Sequence, residues 1–354
     1  MIRIVTGFLI GGFIVLVLLE GLSSVVYFTG RLYRDRAIAE ERHTRYDRDL
    51  GWVSEPNLLI SDMYGPGIAL HTNSQGFRGE RTVTAAVSPG RQRAICSGDS
   101  YTLGYGVDDN HTWCHLLASL TPGLETVNMG QGGYGIDQAY LWFRRDGAAL
   151  EHQIHLFAFV TDDFRRMQSD RFLGYGKPLL VLRGSALTVT NVPVPRPRPF
   201  LRWLNAHAGY LQLLSTVRLG RAIAGKLQGP PPTLAPPDER KPQAVAGRLF
   251  EELLAFDHTK VSRLLLVYLP TPADYRSCES DEWRLFTAEK AKVLGIPFLD
   301  LVAELRRLPA REVDDLFIKS SQAQYFGAAG HYTAKGNAWV AREIHAWMER
   351  LGPG

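Results

Sequence analysis

The sequence predicts a three-layer α/β/α domain on a parallel sheet, preceded by a transmembrane helix and interrupted by an insertion between sheet strands. Three observations carry this expectation. From Arg93 onward, apolar strand-like runs alternate with amphipathic helical stretches, the pattern of a parallel sheet covered on both faces. Residues 4–30 hold a single charge, Glu20, in an otherwise apolar run. Finally, roughly a hundred residues separate the third strand-like run from the fourth, far more than an ordinary connection needs.

The 354 residues suffice for one large domain or two modest ones, and 45% apolar with 21% charged residues describe a globular chain. The formal charge of +4 is mild, and no basic block interleaved with aromatics marks a nucleic-acid surface. The cysteines are Cys96, Cys114 and Cys278. Their odd number and the lack of paired Cys or His spacing indicate neither a disulfide framework nor a metal site, and no cofactor is expected.

In chain order, residues 1–30 are read as a membrane anchor, since the apolar run is long enough to cross a bilayer and too long for a signal peptide. Glu20 inside it implies a partner helix, a protonated state or a side chain that snorkels to the interface. Residues 31–92 form a membrane-proximal lead-in containing "HTNSQGFRG", rich in turn formers. The α/β domain occupies 93–354. Its strands are "RAICS", "LETVNM", "IHLFAFVT", "RLLLVYLP" and "IPFLDL". Its helices include "TWCHLLASL", "DQAYLWFRRDGAAL", "DEWRLFTAEKAKVLG" and "KGNAWVAREIHAWMERL".

The insertion, at about residues 165–245, opens with two β-like runs joined near Arg183 and Gly184. An extended "RPRPF" and an amphipathic stretch with Arg202, Arg218, Arg221 and Lys226 follow. That stretch suits either a membrane surface or packing on the main domain. The proline-rich "GPPPTLAPPDERKPQ" is a linker by composition.

The "GDSYT" at residues 98–102, directly after the first strand, sets the functional question. A serine there suits a helix cap, and equally a nucleophile at a strand end. Three further strings accompany it in order: "NMGQGGYGIDQ" after the second strand, "FAFVTDDF" at the third and "GHYTAKGNAWVAREI" opening the last helix. Together they resemble the GDSL-type, or SGNH, hydrolases over about residues 90–165 and 245–350. The apolar N-terminus with "NSQGFRG" also resembles membrane-anchored bacterial members associated with cell-surface polysaccharide.

The resemblance implies an SGNH-hydrolase, flavodoxin-like fold and a set of roles. Ser100 would attack an acyl carbonyl, and His331 would take its proton and return it to the leaving group. The N–H of Ser100 and that of Gly133 would meet the developing oxyanion, with Gly130, Gly132 and Gly135 as competitors for the Gly133 position. Asp162 stands where the family has an oxyanion asparagine. An ionised carboxylate only accepts hydrogen bonds, so Asp162 must be protonated or turned away. Ala328 stands where the family orients its histidine with an aspartate. His331 must work in a dyad, use a backbone carbonyl or borrow an acid, Asp314 and Asp315 being nearest in sequence.

Three readings follow: an esterase acting on an acylated, O-acetylated glycan of the envelope or a secreted polymer; an acyltransferase using the same serine; or a degenerate fold serving as a glycan-binding or assembly subunit. The expected partners are an acylated glycan or small acyl ester, the membrane through the N-terminal helix, and envelope polysaccharide machinery. The resemblance places the domain on the outer face of the cytoplasmic membrane. The charge count, with Arg31, Arg34 and Arg36 after the helix against Arg3 before it, does not favour that orientation.

Overall fold

The computed structural model describes residues 43–352 apart from 174 and 197–240, together with residues 10–15, 18, 21, 22 and 25. The chain divides into two compact units, Met1–Ile38 with Phe200–Pro231, and Ala39–Pro199 with Pro232–Gly354. Most of the expected anchor at 4–30 lies outside the described residues, as do the polyproline, amphipathic and most of the linker parts of the insertion. Among the described residues no helix is long and apolar enough to cross a membrane.

The lead-in is folded into the second unit. It forms two antiparallel pairs, β1 (Thr44–Asp47) with β2 (Gly51–Ser54) and β3 (Leu59–Ile60) with β4 (Leu70–His71). It buries Trp52, Met63, Tyr64, Leu70 and Phe77. "HTNSQGFRG" is a turn held from inside: Asn73 Oδ1 accepts the N–H groups of Gln75 and Phe77 at 2.9 and 3.0 Å.

The five expected sheet strands all form: β5 (Gln92–Gly98), β6 (Leu124–Gly130), β7 (Ile154–Phe159), β12 (Arg263–Tyr268) and β13 (Phe298–Asp300). Between them the insertion contributes β8 (Arg171–Phe172) paired with β9 (Tyr175–Gly176), and β10 (Leu179–Arg183) paired with β11 (Ala186–Thr190). The sheet runs β6-β5-β7-β12-β13, every pair parallel. The chain therefore leaves β5 toward one side and returns at β7 on the other. That reversal makes the carboxyl ends of β5 and β7 the switch point of the sheet, the place where doubly wound sheets hold their ligands.

Strand side chains alternate between two buried faces. On one, Ala94, Cys96, Leu156, Ala158 and Val267 meet Trp113 and Leu117 of helix Trp113–Leu120 and Trp339 and Ile344 of helix Ala334–Leu351. On the other, Phe157 and Phe159 pack on Phe250 of helix Pro242–Thr259, with ring centroids 6.4 and 5.8 Å apart. The sequence reading ended the insertion inside this last helix; Pro242 in its first turn starts it.

Candidate active site

Strand β5 ends at Gly98, and Asp99 caps the short helix Ser100–Leu103 by accepting the Tyr101 N–H at 2.8 Å. The helix stops at Gly104, whose φ of 86° suits the left-handed cap. Arg78 of the lead-in donates to the carbonyls of Leu103, Gly104 and Val107 at 3.0, 3.1 and 2.7 Å. The guanidinium thus clamps the far end of the Ser100 helix.

His331 precedes helix Ala334–Leu351, which Thr333 caps. Its backbone is stapled to a neighbouring segment: Ile318 N–H donates to His331 O, and Gly330 N–H to Ile318 O, both at 2.8 Å. The ring stacks on Tyr101 with centroids 4.4 Å apart, while Tyr105 lies at 5.3 Å. Tyr101 is fixed in turn by donating its hydroxyl to Gly330 O at 3.0 Å.

These elements bring two residues 231 positions apart into contact: Ser100 Oγ lies 2.8 Å from His331 Nε2. Burial, reinforced by the Arg166 charge, pushes the imidazole down to about 3 against the nearby carbonyls of Ala329 and Ala328. The ring is therefore neutral at physiological pH and able to accept the serine proton. Its Nδ1 is buried and has no side-chain partner. Asp315 pairs with Lys335, and Asp314 lies 3.7 Å from Arg276. Neither acid contacts His331.

Gly133 follows β6 with φ of +76°, and a Cβ there would run into the Phe172 ring. Its loop is braced from the lead-in: Trp52 Nε1 donates to Gly132 O at 2.9 Å, and Tyr134 Oη donates to Trp52 O at 2.5 Å. Among the described residues, neither the Ser100 N–H nor the Gly133 N–H has a protein acceptor.

The carboxylate of Asp162 is turned to solvent, 52% exposed, and paired with Arg165 at 2.9 Å. Its neighbour Asp163 is buried, accepting the Val160 N–H at 3.0 Å and Arg166 Nη1 at 2.6 Å. The same Nη1 reaches Asp99 at 3.2 Å and Tyr134 O at 3.0 Å. Among the described residues, no three potential metal ligands come together, and Cys96 and Cys114 are buried free thiols.

The sequence matches no protein-family model and no curated protein. Among solved structures it is similar to a member of the lipolytic protein G-D-S-L family from Veillonella parvula, at 14% identity and TM-score 0.38, over 72% of this chain and 98% of that one. It is also similar to the lipase/acylhydrolase from Enterococcus faecalis, at 12% identity and TM-score 0.41, over 73% and 96%. A third is LAE5, an alpha/beta hydrolase from the metagenome of Lake Arreo, at 13% identity and TM-score 0.42, over 75% and 99%. Its structural neighbours include GDSL-type hydrolases. The chemistry of Ser100 and His331 rests on their own geometry.

Measured against the GDSL-type pattern, the structure brings Ser100 and His331 together and leaves Asp162 paired elsewhere. Three contributors escaped the sequence reading. Tyr101, inside the quoted "GDSYT", packs the histidine; Arg78, inside "NSQGFRG", holds the serine helix; Arg166, four residues after Asp162, ties three loops together. All three stood within or beside strings already singled out. Their partners, distant in sequence, are what revealed the roles.

Proposed function

We propose that the protein is a Ser–His ester hydrolase that removes acyl groups from an acylated glycan at the outer face of the cytoplasmic membrane, held there by residues 4–30. The contact between Ser100 Oγ and His331 Nε2, beyond the carboxyl end of β5, carries the reading. GDSL-type neighbours support ester chemistry. The glycan, the anchor and the outward orientation are supported by the sequence resemblance to anchored members.

The Ser100–His331 contact supports a two-step acyl transfer. Ser100 Oγ bonds to the acyl carbon as its proton passes to His331 Nε2, and the carbonyl oxygen becomes an oxyanion facing the Ser100 and Gly133 N–H groups. Collapse breaks the bond to the alcohol, which takes the proton from Nε2. Water then gives a proton to Nε2, attacks the acyl-serine and releases the acid, and Ser100 regains its hydrogen.

Detergent-solubilised protein and the Ser100→Ala variant, treated with a fluorophosphonate and assayed on an acetyl ester and on O-acetylated glycans, test the reading. The expected result is an adduct on Ser100 and turnover that the variant lacks. Absence of both in the wild type points to a binding subunit, and acyl transfer to an added sugar in place of acid release points to a transferase. An impermeant thiol reagent applied to an introduced surface cysteine in osmotically shocked cells tests the orientation; labelling only after lysis would place the domain inside.

A further inference from the structure

Asp162 leaves the oxyanion without the side-chain donor its position would supply. The carboxylate carries the wrong charge for that task and is engaged by Arg165 at 2.9 Å. Four residues on, Arg166 ends helix Thr161–Arg166 with its guanidinium on Asp163, Tyr134 O and Asp99.

We propose that Arg166 is the side-chain donor of the oxyanion site, supplying through its guanidinium what Asp162 cannot. The inference rests on the reading of Ser100 as nucleophile. Its basis is placement. Nη1 alone makes the three anchoring bonds, to Asp163, Tyr134 O and Asp99 at 2.6, 3.0 and 3.2 Å. Asp99 immediately precedes the nucleophile Ser100, and Tyr134 immediately follows Gly133. The guanidinium is thus tied to both loops whose N–H groups await the oxyanion.

Nε and Nη2 have no protein partner among the described residues, and the side chain keeps 17% of its surface exposed. These atoms remain for a ligand. The Phe172 ring lies 5.3 Å from the guanidinium carbon and also packs at Gly133, so cation and glycine share a wall. The Arg166 carbonyl accepts from Lys177 Nζ at 3.2 Å, and Lys177 is buried in an ion pair with Asp137, which fixes the residue from below.

The two carboxyls beneath share a single cation. Burial and the facing charge of Asp99 push Asp163 well up, and burial pushes Asp99 up, so the pair resists ionising together. The field of Arg166 also reaches the catalytic pair, since it helps hold His331 neutral.

The test is Arg166→Lys, which keeps a cation for Asp99 and Asp163 and removes the free donors. The expected result is kcat on an acetyl ester lowered about 10²-fold with KM within about twofold, at an unchanged melting temperature, the cost of losing one oxyanion donor. Fluorophosphonate labelling of Ser100 should slow in parallel. A kcat within about threefold of wild type overturns the inference, taking the loss of one donor as the yardstick. So does a raised KM confined to anionic esters, which would make Arg166 a substrate-carboxylate site. If Arg166→Lys does not fold, the Arg166→Gln, Asp163→Asn double variant removes the cation together with a counter-charge and is read the same way. A wild type with no Ser100-dependent turnover overturns the hydrolase reading and this inference with it; turnover insensitive to Arg166 overturns the inference alone.

Discussion

Ala328→Asp restores a carboxylate three residues before His331, whose Nδ1 is buried without a side-chain partner. The methyl group it replaces is buried but borders a cavity of about 490 Å³ lined in part by Tyr64, Val107 and Ile318, so a larger side chain has room. The drop of the imidazole from 6.5 to about 3 means that the imidazolium costs about 5 kcal/mol more in the site than in water. That cation forms whenever His331 accepts the serine proton. A carboxylate on Nδ1 that offsets about 3 kcal/mol of it raises kcat/KM about 10²-fold, within the range seen when a triad acid is lost. It also changes the pH profile. In the wild type, the rise of kcat/KM with pH should be complete by about pH 5, because the free enzyme's base titrates at about 3. In Ala328→Asp that limb should move up by about two pH units while the plateau rises. Initial rates on an acetyl ester from pH 4 to 9 measure both. A wild-type limb near the ordinary histidine value would refute the buried-neutral-ring account. An unmoved limb in the variant would show that the new carboxylate does not reach Nδ1.

Two further substitutions probe the oxyanion loop and the core. Gly133→Ala introduces a Cβ at φ of +76° against the Phe172 ring, and should lower kcat at least tenfold by displacing the N–H, an estimate of about 1.4 kcal/mol in the barrier; full activity with normal stability would remove Gly133 from the site. Asp257→Asn breaks a sealed array in which the carboxylate meets His155 Nδ1 at 2.9 Å and His152 Nε2 at 3.5 Å. It should cost about 3 kcal/mol of stability by calorimetry or urea titration, with kcat unchanged at 25 °C. Burial raises the Asp257 carboxyl, but the His155 charge and the histidine hydrogen bonds outweigh it and hold the group below its usual range. The stability it contributes is therefore complete above the unfolded carboxyl value of about 3.9 and is lost as pH falls through the lower folded value. The wild-type advantage over the variant should shrink only in that acid window.

Sheet and candidate nucleophile were legible because they rest on local patterns: apolar runs such as Ala94-Ile95-Cys96 for β5, and a glycine, acid and serine directly after it. The lead-in was not. "GWVS" carries too little periodicity to announce a strand, yet Trp52 braces the Gly133 loop through a bond spanning 80 residues. Asp162 shows a second limit. Its place in the string matched the oxyanion position, but the direction of its side chain depends on Arg165, and Arg165 also reaches Glu279 at 2.6 Å, beyond any local window.

Two serines three residues apart show what sequence alone cannot decide. Ser97 Oγ lies 2.6 Å from His155 Nε2, and His155 Nδ1 meets Asp257, a complete serine–histidine–aspartate array. Ser100 has only a histidine, at 2.8 Å. By composition, Ser97 is the better equipped nucleophile. However, Ser97, His155 and Asp257 are at most 1% exposed against 4% for Ser100, and their bonds join helix Pro242–Thr259 to strands β5 and β7. Ser100 lies past the last residue of β5, with its own N–H and that of Gly133 unclaimed among the described residues. Catalysis requires differential stabilisation of the transition state, so unclaimed N–H donors outrank a third member. On the proposed reading, the sealed array stabilises the fold and the incomplete one faces the substrate.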